Sequence, residues 1–242
     1  AGAGGPPLAG RLAIVGLGLI GGSLALAARE AKVAGSILGV DRDAGHRAAA
    51  LRLGMADEAR ADLEGLAESD LIVLAVPVAA IRALLPAVAR LAPPQATVTD
   101  VGSVKARILE AGEAVFPDGR FVAGHPIAGR ERAGPEAARA DLFAGANCVL
   151  TPTAATRASA RGRVAALWRA AGCRVLCMEA GWHDEVFAAV SHLPHLVAYA
   201  LMDAVLGMER GAERIRFSAG GLRDFTRVAA SHPEMWRDIF CM

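Results

Sequence analysis

The stretch RLAIVGLGLIGGSLALAARE, residues 11–30, decides the fold of this 242-residue chain. Its apolar first part predicts a buried strand over residues 11–18, and the residues from Ile20 to Ala31 predict a helix. A second apolar run, SILGVD, predicts another strand over residues 36–41. A strand, a helix and a strand in this order and at this spacing predict a parallel βαβ unit.

The turn between the first strand and the helix has a G-x-G-x-x-G pattern, formed by Gly16, Gly18 and Gly21. Gly16 permits the tight turn, Gly18 lets the backbone approach a pyrophosphate, and Gly21 lets the helix lie close to the strand. Leu19 and Ile20 begin the helix, whose free N–H groups and partial positive charge suit phosphates. The pattern therefore predicts a dinucleotide-binding site, and the alternative interpretation is a glycine-rich turn without a ligand.

Asp41 indicates which dinucleotide is bound. It ends the second strand, twenty residues after Gly21, and is expected to accept hydrogen bonds from the ribose hydroxyls of the adenosine. Because its charge would repel a 2′-phosphate, it favours NAD over NADP. Arg42 leaves NADP open, since a neighbouring guanidinium can neutralise such a phosphate, although a solvated surface residue is the preferred interpretation of Arg42.

The same alternation continues to about residue 179. Apolar runs predict further strands over residues 71–76, 96–101, 120–125, 148–152 and 173–178. Helical patterns lie between them, at residues 44–53, 81–91, 102–111 and about 158–171. Continuous apolar strands that alternate with helices predict an α/β fold of Rossmann type, with a doubly wound, mostly parallel sheet covered on both faces.

The sequence changes character after Glu179. Residues 182–206 predict one long helix with an apolar stripe at helical spacing, formed by Val186, Phe187, Val190, Leu193, Val197, Leu201 and Val205. Asp184 and His195 are expected on roughly the opposite face. Pro194 is expected to distort the helix, because proline interrupts the regular hydrogen bonding of a helix.

This change divides the chain near residue 180. We expect a dinucleotide-binding domain over residues 8–179 and a C-terminal all-helical domain over residues 180–242. The first ten residues, AGAGGPPLAG, are expected to form a flexible leader. The sequence contains no internal repeat, so neither domain is expected to be a repeat array.

The composition excludes several classes of protein. A hydrophobic fraction of 54% excludes a disordered chain, and a net charge of +1 offers no basic field for nucleic acid. The uncharged run Leu12–Ala28 is at the short limit for a membrane span and rich in glycine, and no signal-peptide cleavage site follows it. Cys148, Cys173, Cys177 and Cys241 form no C-x-x-C pair. We expect reduced, buried thiols in a cytoplasmic protein and no metal.

Three loops are expected at the carboxyl edge of the sheet, where open parallel sheets bind ligands: Val76-Pro77, Asp100-Val-Gly-Ser103 and Gly124-His125-Pro126. Val76 and Pro77 are expected to border the cofactor. His125 directly follows a strand, where an imidazole can take a proton near neutral pH. Ser103, at the neighbouring strand end, is expected to hydrogen-bond either that imidazole or a substrate hydroxyl. The alternative interpretation of His125 is a structural histidine whose hydrogen bonds are satisfied within the protein.

Five blocks of sequence together resemble one family: GLGLIGGSLALA, DVGSVK, GHPIAG, SHLPH and GGLRDFTRVAASHPEMWRDIF. From about residue 11 to 240 the chain is similar to the prephenate dehydrogenase family of tyrosine biosynthesis. The resemblance implies NAD(P)-dependent oxidative decarboxylation of a cyclohexadienyl substrate, prephenate or arogenate, without a metal. It also implies a homodimer in which the helical domain binds substrate and forms the dimer contact.

The resemblance implies a role for individual residues. His125 corresponds to the family's catalytic histidine, which hydrogen-bonds the ring hydroxyl, and Ser103 to a serine that assists it. Arg227 corresponds to an arginine that anchors a substrate carboxylate. His195 corresponds to a histidine of the substrate pocket, and Glu131 to an acidic residue near the pocket mouth. The alternative for Arg227 is an ordinary surface ion pair with Asp224 or Glu234.

Other interpretations stay open at this point. Arg130, next to the GHPIAG block, is either a solvated loop residue or a cation that alters selectivity for the substrate side chain. Family members usually continue beyond the MWRDIF block with further helices, so either this form is short or the sequence is truncated, and the dimerisation region is expected to be incomplete. A β-hydroxyacid or imine-reducing dehydrogenase would share the nucleotide motif and a helical second domain. A dinucleotide-binding protein without catalysis is the remaining alternative.

Overall fold

A computed structural model describes residues 7–129, 132–231 and 233–241, and a six-stranded parallel sheet forms the centre of its N-terminal part. The strands are β1 (Ala9–Val15), β2 (Ala34–Val40), β3 (Glu58–Arg60), β4 (Leu71–Leu74), β5 (Thr97–Asp100) and β6 (Phe121–Val122). They lie in the order β3-β2-β1-β4-β5-β6, with every neighbouring pair parallel. The order reverses between β1 and β4, which is where ligands bind to sheets of this type.

Helices cover both faces of this sheet, as the alternating pattern predicts. They are α1 (Leu19–Glu30), α2 (Ala44–Arg52), α3 (Val78–Leu91), α4 (Ala106–Val115) and α5 (Ala158–Ala170). Side chains of β1 alternate between the two faces: Leu12 and Ile14 pack with α1 and α5, whereas Ala13 and Val15 pack with α3 and α4. The two apolar layers therefore hold β1 and the turn after it in a fixed position.

The strand expected at residues 120–125 is in fact two strands in different sheets. β6 ends at Val122, and β7 (Gly124–Pro126) joins a second sheet with β8 (Asn147–Leu150) and β9 (Arg174–Cys177). β7 and β8 are antiparallel, and β8 and β9 are parallel. The break falls at Ala123, whose carbonyl oxygen accepts a hydrogen bond from the Thr151 N–H at 3.0 Å. Apolar runs on both sides of the break hide it in the sequence.

Three further differences from the sequence-based expectations are small. The edge strand β3 was not predicted, because its three residues, Glu58, Ala59 and Arg60, do not form an apolar run. Ala9 and Gly10, expected in the leader, belong to β1, where Ala9 is paired with Ala34, while residues 1–6 lie outside the described residues. All four cysteines are free thiols and two are buried as expected, but Cys177 and Cys241 are exposed.

The C-terminal part is all-helical, as predicted. It contains α6 (Ala180–Phe187), a π-helical segment (Ala188–His192), α7 (Leu193–Leu206), α8 (Gly211–Arg216), α9 (Gly220–Thr226), a 3₁₀ turn (Arg227–Ala230) and α10 (Pro233–Phe240). α6, the π-helical segment and α7 form one continuous helix over residues 180–206. The π-helical segment directly precedes Pro194, which has no N–H and whose ring crowds the carbonyl of Val190, so the helix widens there.

The middle of the apolar stripe faces away from the rest of the chain, whereas Phe187 near its beginning packs on the rings of His125 and His183, at centroid distances of 4.8 and 4.5 Å. Val190, Leu193 and Val197 are 67%, 54% and 42% exposed, whereas His183 on the other face is fully buried. The helix over residues 180–206 is also the one helix of the described ranges that is long and apolar enough to cross a membrane. A helix that packs against another protein surface meets the same criterion, because burial in either setting favours apolar side chains.

Candidate active site

The glycine-rich turn after β1 has room for a ligand at one glycine only. Gly16 has a φ of +98°, and a Cβ atom there would lie 2.3 Å from the carbonyl oxygen of Ala75. A Cβ atom at Gly21 would lie 1.9 Å from the carbonyl oxygen of Gly16. At Gly18 a Cβ atom would meet no atom within 4 Å. The fold itself thus requires Gly16 and Gly21, whereas Gly18 leaves open space before α1 that suits a pyrophosphate.

The turn faces a second loop across the point where the strand order reverses. Val76 follows β4, and its Cγ1 atom lies close to Gly16, 2.9 Å from the position of a Cβ atom there. Pro77 is exposed and precedes α3. Leu19 and Ile20, the first residues of α1, are half-buried. The structure therefore brings these predicted cofactor-binding positions to one edge of the sheet.

Asp41 is held rigidly beside this turn. Its carboxylate accepts hydrogen bonds from the N–H groups of Leu17 and Asp43, both at 2.9 Å, and lies 3.1 Å from Nδ1 of His46. A carboxylate can accept about four hydrogen bonds, so capacity for a ribose hydroxyl is left. Nothing in the sequence analysis anticipated His46, while Arg42 is exposed, as preferred.

His125 lies on β7 and is joined to the helical part of the chain by hydrogen bonds. Its Nδ1 atom lies 2.9 Å from Nε2 of His183, and Nδ1 of His183 lies 2.8 Å from Oδ1 of Asp184. The same carboxylate accepts hydrogen bonds from the N–H groups of Lys105, at 2.7 Å, and Ala106, at 2.9 Å. Three side chains from β7 and α6 therefore form a continuous chain that ends at the N-terminus of α4.

The electrostatics of these three hydrogen-bonded side chains favour a neutral His125. Burial, followed by the positive charge of Lys105 and the imidazoles of His183 and His192, holds the pKa of His125 well below 6.5. Burial raises the pKa of Asp184, but the hydrogen bonds from His183 and the two backbone N–H groups outweigh it and lower that pKa overall. At neutral pH the hydrogen-bonded series therefore contains the neutral imidazole of His125 and the ionised carboxylate of Asp184.

A buried ion pair holds the strand that carries His125. Lys105 and Asp100 are fully buried and form an ion pair through Nζ and Oδ2. Nζ of Lys105 also donates to the carbonyl oxygen of Gly124 at 2.8 Å, and the N–H of Gly124 donates to Oδ1 of Asp100 at 3.1 Å. Burial lowers the pKa of Lys105, and the Asp100 charge opposes that shift. The pair ties the end of β5 to the beginning of β7 and so positions His125.

The DVGSVK block contains Asp100 and Lys105, and the sequence alone indicated no role for either residue. One signal was present, since Lys105 and Lys32 are the only lysines of the chain. His183 and Asp184 were noted only for their place in the helical pattern. Their contact with His125 joins residues 58 positions apart, which a single sequence does not reveal.

The other predicted site residues lie around this centre. Ser103 is half-buried after β5, Nδ1 of His125 bonds His183, and a bond from Ser103 to the other ring nitrogen of His125 stays a prediction. A bond from Ser103 to a substrate hydroxyl stays a prediction. His195 on α7 donates from Nδ1 to the carbonyl oxygen of Ser191 at 2.8 Å and stacks on Trp236, with ring centroids 3.7 Å apart.

Arg227 lies on the same helical part as His195. It is exposed and begins the 3₁₀ turn after α9. The hydroxyl of Tyr199, on α7, donates to the carbonyl oxygen of Ser231 at 2.7 Å and fastens this turn to α7. Arg130, Glu131 and the side chain of Glu234 lie outside the described residues.

Two family models match the chain. The nucleotide-binding domain of prephenate dehydrogenase matches residues 24–177, and the dimerization domain of prephenate dehydrogenase matches residues 179–242. Cyclohexadienyl dehydrogenase from Zymomonas mobilis is 40% identical over 94% of this chain and 79% of that protein. Prephenate dehydrogenase from Bacillus subtilis is 37% identical over 93% of this chain, which spans 62% of that protein's length.

Solved structures agree with the sequence matches. Prephenate dehydrogenase from Aquifex aeolicus, in complex with hydroxyphenyl propionate and NAD+, has a TM-score of 0.90 at 38% identity over 96% of this chain and 82% of that chain. A 3-hydroxyisobutyrate dehydrogenase from Salmonella typhimurium has a TM-score of 0.63 at 18% identity, which shows a common fold alone. The nucleotide-binding domain predicted from the glycine pattern is confirmed, and the chain belongs to the prephenate dehydrogenase family.

Proposed function

We propose that this protein catalyses the NAD-dependent oxidative decarboxylation of prephenate to 4-hydroxyphenylpyruvate, with arogenate as a second candidate substrate. The observation that carries the proposal is the half-buried His125 on the strand next to the nucleotide-binding sheet, hydrogen-bonded to His183, with its pKa held well below 6.5. Membership of the family supplies the substrate class. The name of the Zymomonas mobilis relative, cyclohexadienyl dehydrogenase, covers the ring chemistry that both substrates share.

The residues around the glycine-rich turn fit a dinucleotide. We place its pyrophosphate at Gly18 and the first turn of α1, where a Cβ atom would meet nothing, and its adenosine ribose at Asp41. Val76 and Pro77 would border the rest of the cofactor, and Gly16, Leu19, Ile20 and Gly21 complete the turn. Asp41 favours NAD, and exposed Arg42 is the residue through which NADP would be accepted. Bound NAD would supply a two-electron oxidant for ring C4 of the substrate.

His125 provides the acid–base chemistry. Its neutral imidazole accepts the proton of the C4 hydroxyl as that carbon is oxidised to a carbonyl, a contribution of typically ~10²–10⁴ in rate. The carbonyl then accepts the electron pair of the bond between the ring and its carboxylate. That bond breaks, CO2 leaves and the ring becomes an aromatic phenolate, which takes the proton back from His125, so the net change is transfer of one hydride to the cofactor. Loss of CO2 needs no further group, because the oxidised ring is the electron sink.

The helical part of the chain would hold the substrate. We propose that Arg227 binds a substrate carboxylate through its guanidinium fork, that His195 lines the pocket, and that Ser103 bonds the ring hydroxyl. We propose a dinucleotide-binding domain over residues 8–179 and a helical domain over residues 180–242, with the substrate between the two.

We also propose that two copies of the chain associate through the helical domain in the cytoplasm. The exposed apolar side chains of Val190, Leu193 and Val197 support this, because a cluster of apolar side chains is costly to leave in water. The family model that matches residues 179–242 describes a dimerization domain. The near-neutral charge of the chain gives no reason to expect a nucleic-acid partner.

The activity is tested by mixing the purified protein with NAD and prephenate and following NADH absorbance together with release of 4-hydroxyphenylpyruvate. We expect turnover in the wild type. In His125→Asn we expect kcat to fall by about 10²–10⁴-fold, with the Kd for NAD unchanged, because the base is lost and the nucleotide turn is not. No turnover of prephenate or arogenate with NAD or NADP would overturn the proposed function.

A further inference from the structure

The hydrogen bonds behind His125 have a direction that the carboxylate of Asp184 sets. An ionised carboxylate can only accept, and this one already accepts from the N–H groups of Lys105 and Ala106. Nδ1 of His183, at 2.8 Å from Oδ1, must therefore carry a proton and donate it. In a neutral His183 the other ring nitrogen, Nε2, is then an acceptor.

That direction carries through to the base. Nε2 of His183 lies 2.9 Å from Nδ1 of His125, so Nδ1 of His125 has to be the donor in this bond. A neutral His125 with its proton on Nδ1 has a free electron pair on Nε2, which is the atom left to meet a substrate. The opposite tautomer would present an N–H group to the substrate hydroxyl and could not accept its proton.

We propose that His183 and Asp184 are positioning residues that keep the proton of His125 on Nδ1, so that Nε2 is the atom that accepts the substrate's hydroxyl proton. The proposal rests on the proposed function only for the identity of that substrate. The carboxylate has a second effect, because its negative charge lies behind the imidazolium that forms when His125 takes the proton. His183 touches neither substrate nor cofactor in this arrangement and acts through His125.

The arrangement also explains why the base lies at the junction of the two parts of the chain. His125 is on β7, while His183 and Asp184 are on α6, at the beginning of the helical part. Asp184 in turn bonds the first N–H groups of α4. The correct tautomer of His125 therefore depends on α6 lying against both β7 and α4.

The tautomer can be measured without any substrate. In protein labelled with ¹⁵N-histidine at about pH 7.5, we expect the long-range ¹H–¹⁵N spectrum to show His125 protonated at Nδ1 and unprotonated at Nε2. The signals are assigned by their loss in His125→Asn. A proton on Nε2 of His125 in the wild type would overturn the proposal, whether or not the protein oxidises prephenate. Failure of the activity assay with the expected tautomer would overturn the proposed function alone.

Variants of His183 show whether this residue positions the proton of His125 through its hydrogen bonds or only fills space beside it. His183→Leu removes both hydrogen bonds, whereas His183→Gln keeps one acceptor for His125 and one donor for Asp184. We expect a fall in kcat of about 10²-fold for the leucine variant and a clearly smaller fall for the glutamine variant. KM for prephenate and Kd for NAD should change by less than about twofold in both, since the chain acts on proton transfer and not on binding. Equal kcat values in the two variants would contradict the proposal.

A matched pair of charge changes tests the carboxylate. Asp184→Asn should lower kcat by about 10²-fold and shift the His125 proton towards Nε2 in the histidine spectrum. Glu185→Gln removes the same charge from the next residue, which is exposed, and should leave kcat unchanged. If Asp184→Asn melts too low to assay, the wild-type spectrum and the two His183 variants still decide the question. An unaltered tautomer and kcat in a folded Asp184→Asn would overturn the role of Asp184.

Discussion

At the scale of single residues, the chemistry depends on how the protein changes the acidity of His125. An isolated imidazole is about half protonated at pH 6.5 and is then a poor base. Burial and the nearby charge of Lys105 disfavour the protonated form of His125, so the free base persists to lower pH.

This shift predicts the acid side of the pH profile. The protonated imidazole cannot accept a proton, so kcat/KM falls as the pH drops through the pKa of His125 in the free enzyme. Because that pKa is lowered well below 6.5, we expect kcat/KM to be nearly unchanged between pH 7.5 and 6.5 and to fall only at lower pH. Initial rates over a pH series at limiting prephenate check this. A half-maximal kcat/KM at or above pH 6.5 would contradict it.

Residue-level inference from the sequence was possible where a position alone carried the information, and the catalytic role of His125 stays a prediction. His125 stood out because it directly follows a strand, at the sheet edge where ligands bind. His183 and Asp184 gave no comparable signal, since a histidine followed by an aspartate on a helix is common and its partner is 58 residues away. For Ser103, neighbouring strand ends suggest proximity to His125, but they do not say which ring nitrogen or which substrate group its hydroxyl bonds.

At the scale of elements, the decisive feature is the short strand β7. It leaves the large sheet after Val122 and carries His125 towards α6. In the buried Lys105–Asp100 pair, Lys105 donates a hydrogen bond to the carbonyl oxygen of Gly124, and Asp100 accepts one from its N–H. A pair of opposite charges without solvent contact is costly to break, because the remaining charge cannot be hydrated.

We therefore expect Lys105→Met to lower the free energy of unfolding by about 3–5 kcal/mol, since Asp100 would be left buried and unpaired. Urea denaturation followed by circular dichroism measures the change. The chain supplies its own control in Lys32, the other lysine, which is exposed, and Lys32→Met should change the stability by less than about 0.5 kcal/mol. Equal stability of the two variants would show that the ion pair does not hold β7.

At the scale of the whole molecule, the long helix over residues 180–206 is arranged with its polar residues inward. His183 is buried against His125, while Val190, Leu193 and Val197 face solvent in a single chain. A helix of a soluble monomer has the reverse arrangement, with its apolar face on the core. We propose that the active site uses the polar face and that the exposed apolar side chains contact a second copy of the chain.

This arrangement predicts a dimer that a single charge weakens. We expect light scattering after size exclusion to give the wild type twice the mass of one chain. Val197→Glu should weaken the dimer by about 10-fold or more in Kd, because an unpaired carboxylate would be buried in the contact. Ala48→Glu, on the exposed face of α2, is the matched control and should leave the mass unchanged. A wild type that is monomeric, or soluble only in detergent, would contradict the prediction.

The fold class, the nucleotide turn and the choice of His125 as the candidate base could all be taken from the amino-acid order, because each depends on local spacing. Apolar periodicity marks strands and helices, and Gly16, Gly18 and Gly21 lie within one turn of chain. Three features became known only from the folded chain. They are the division of residues 120–125 between two sheets, the hydrogen bonds that join His125 to His183 and Asp184, and the hydrogen bond from Lys105 to Gly124. They arise where distant segments meet in a dry interior, and there the geometry of packing selects which polar groups pair.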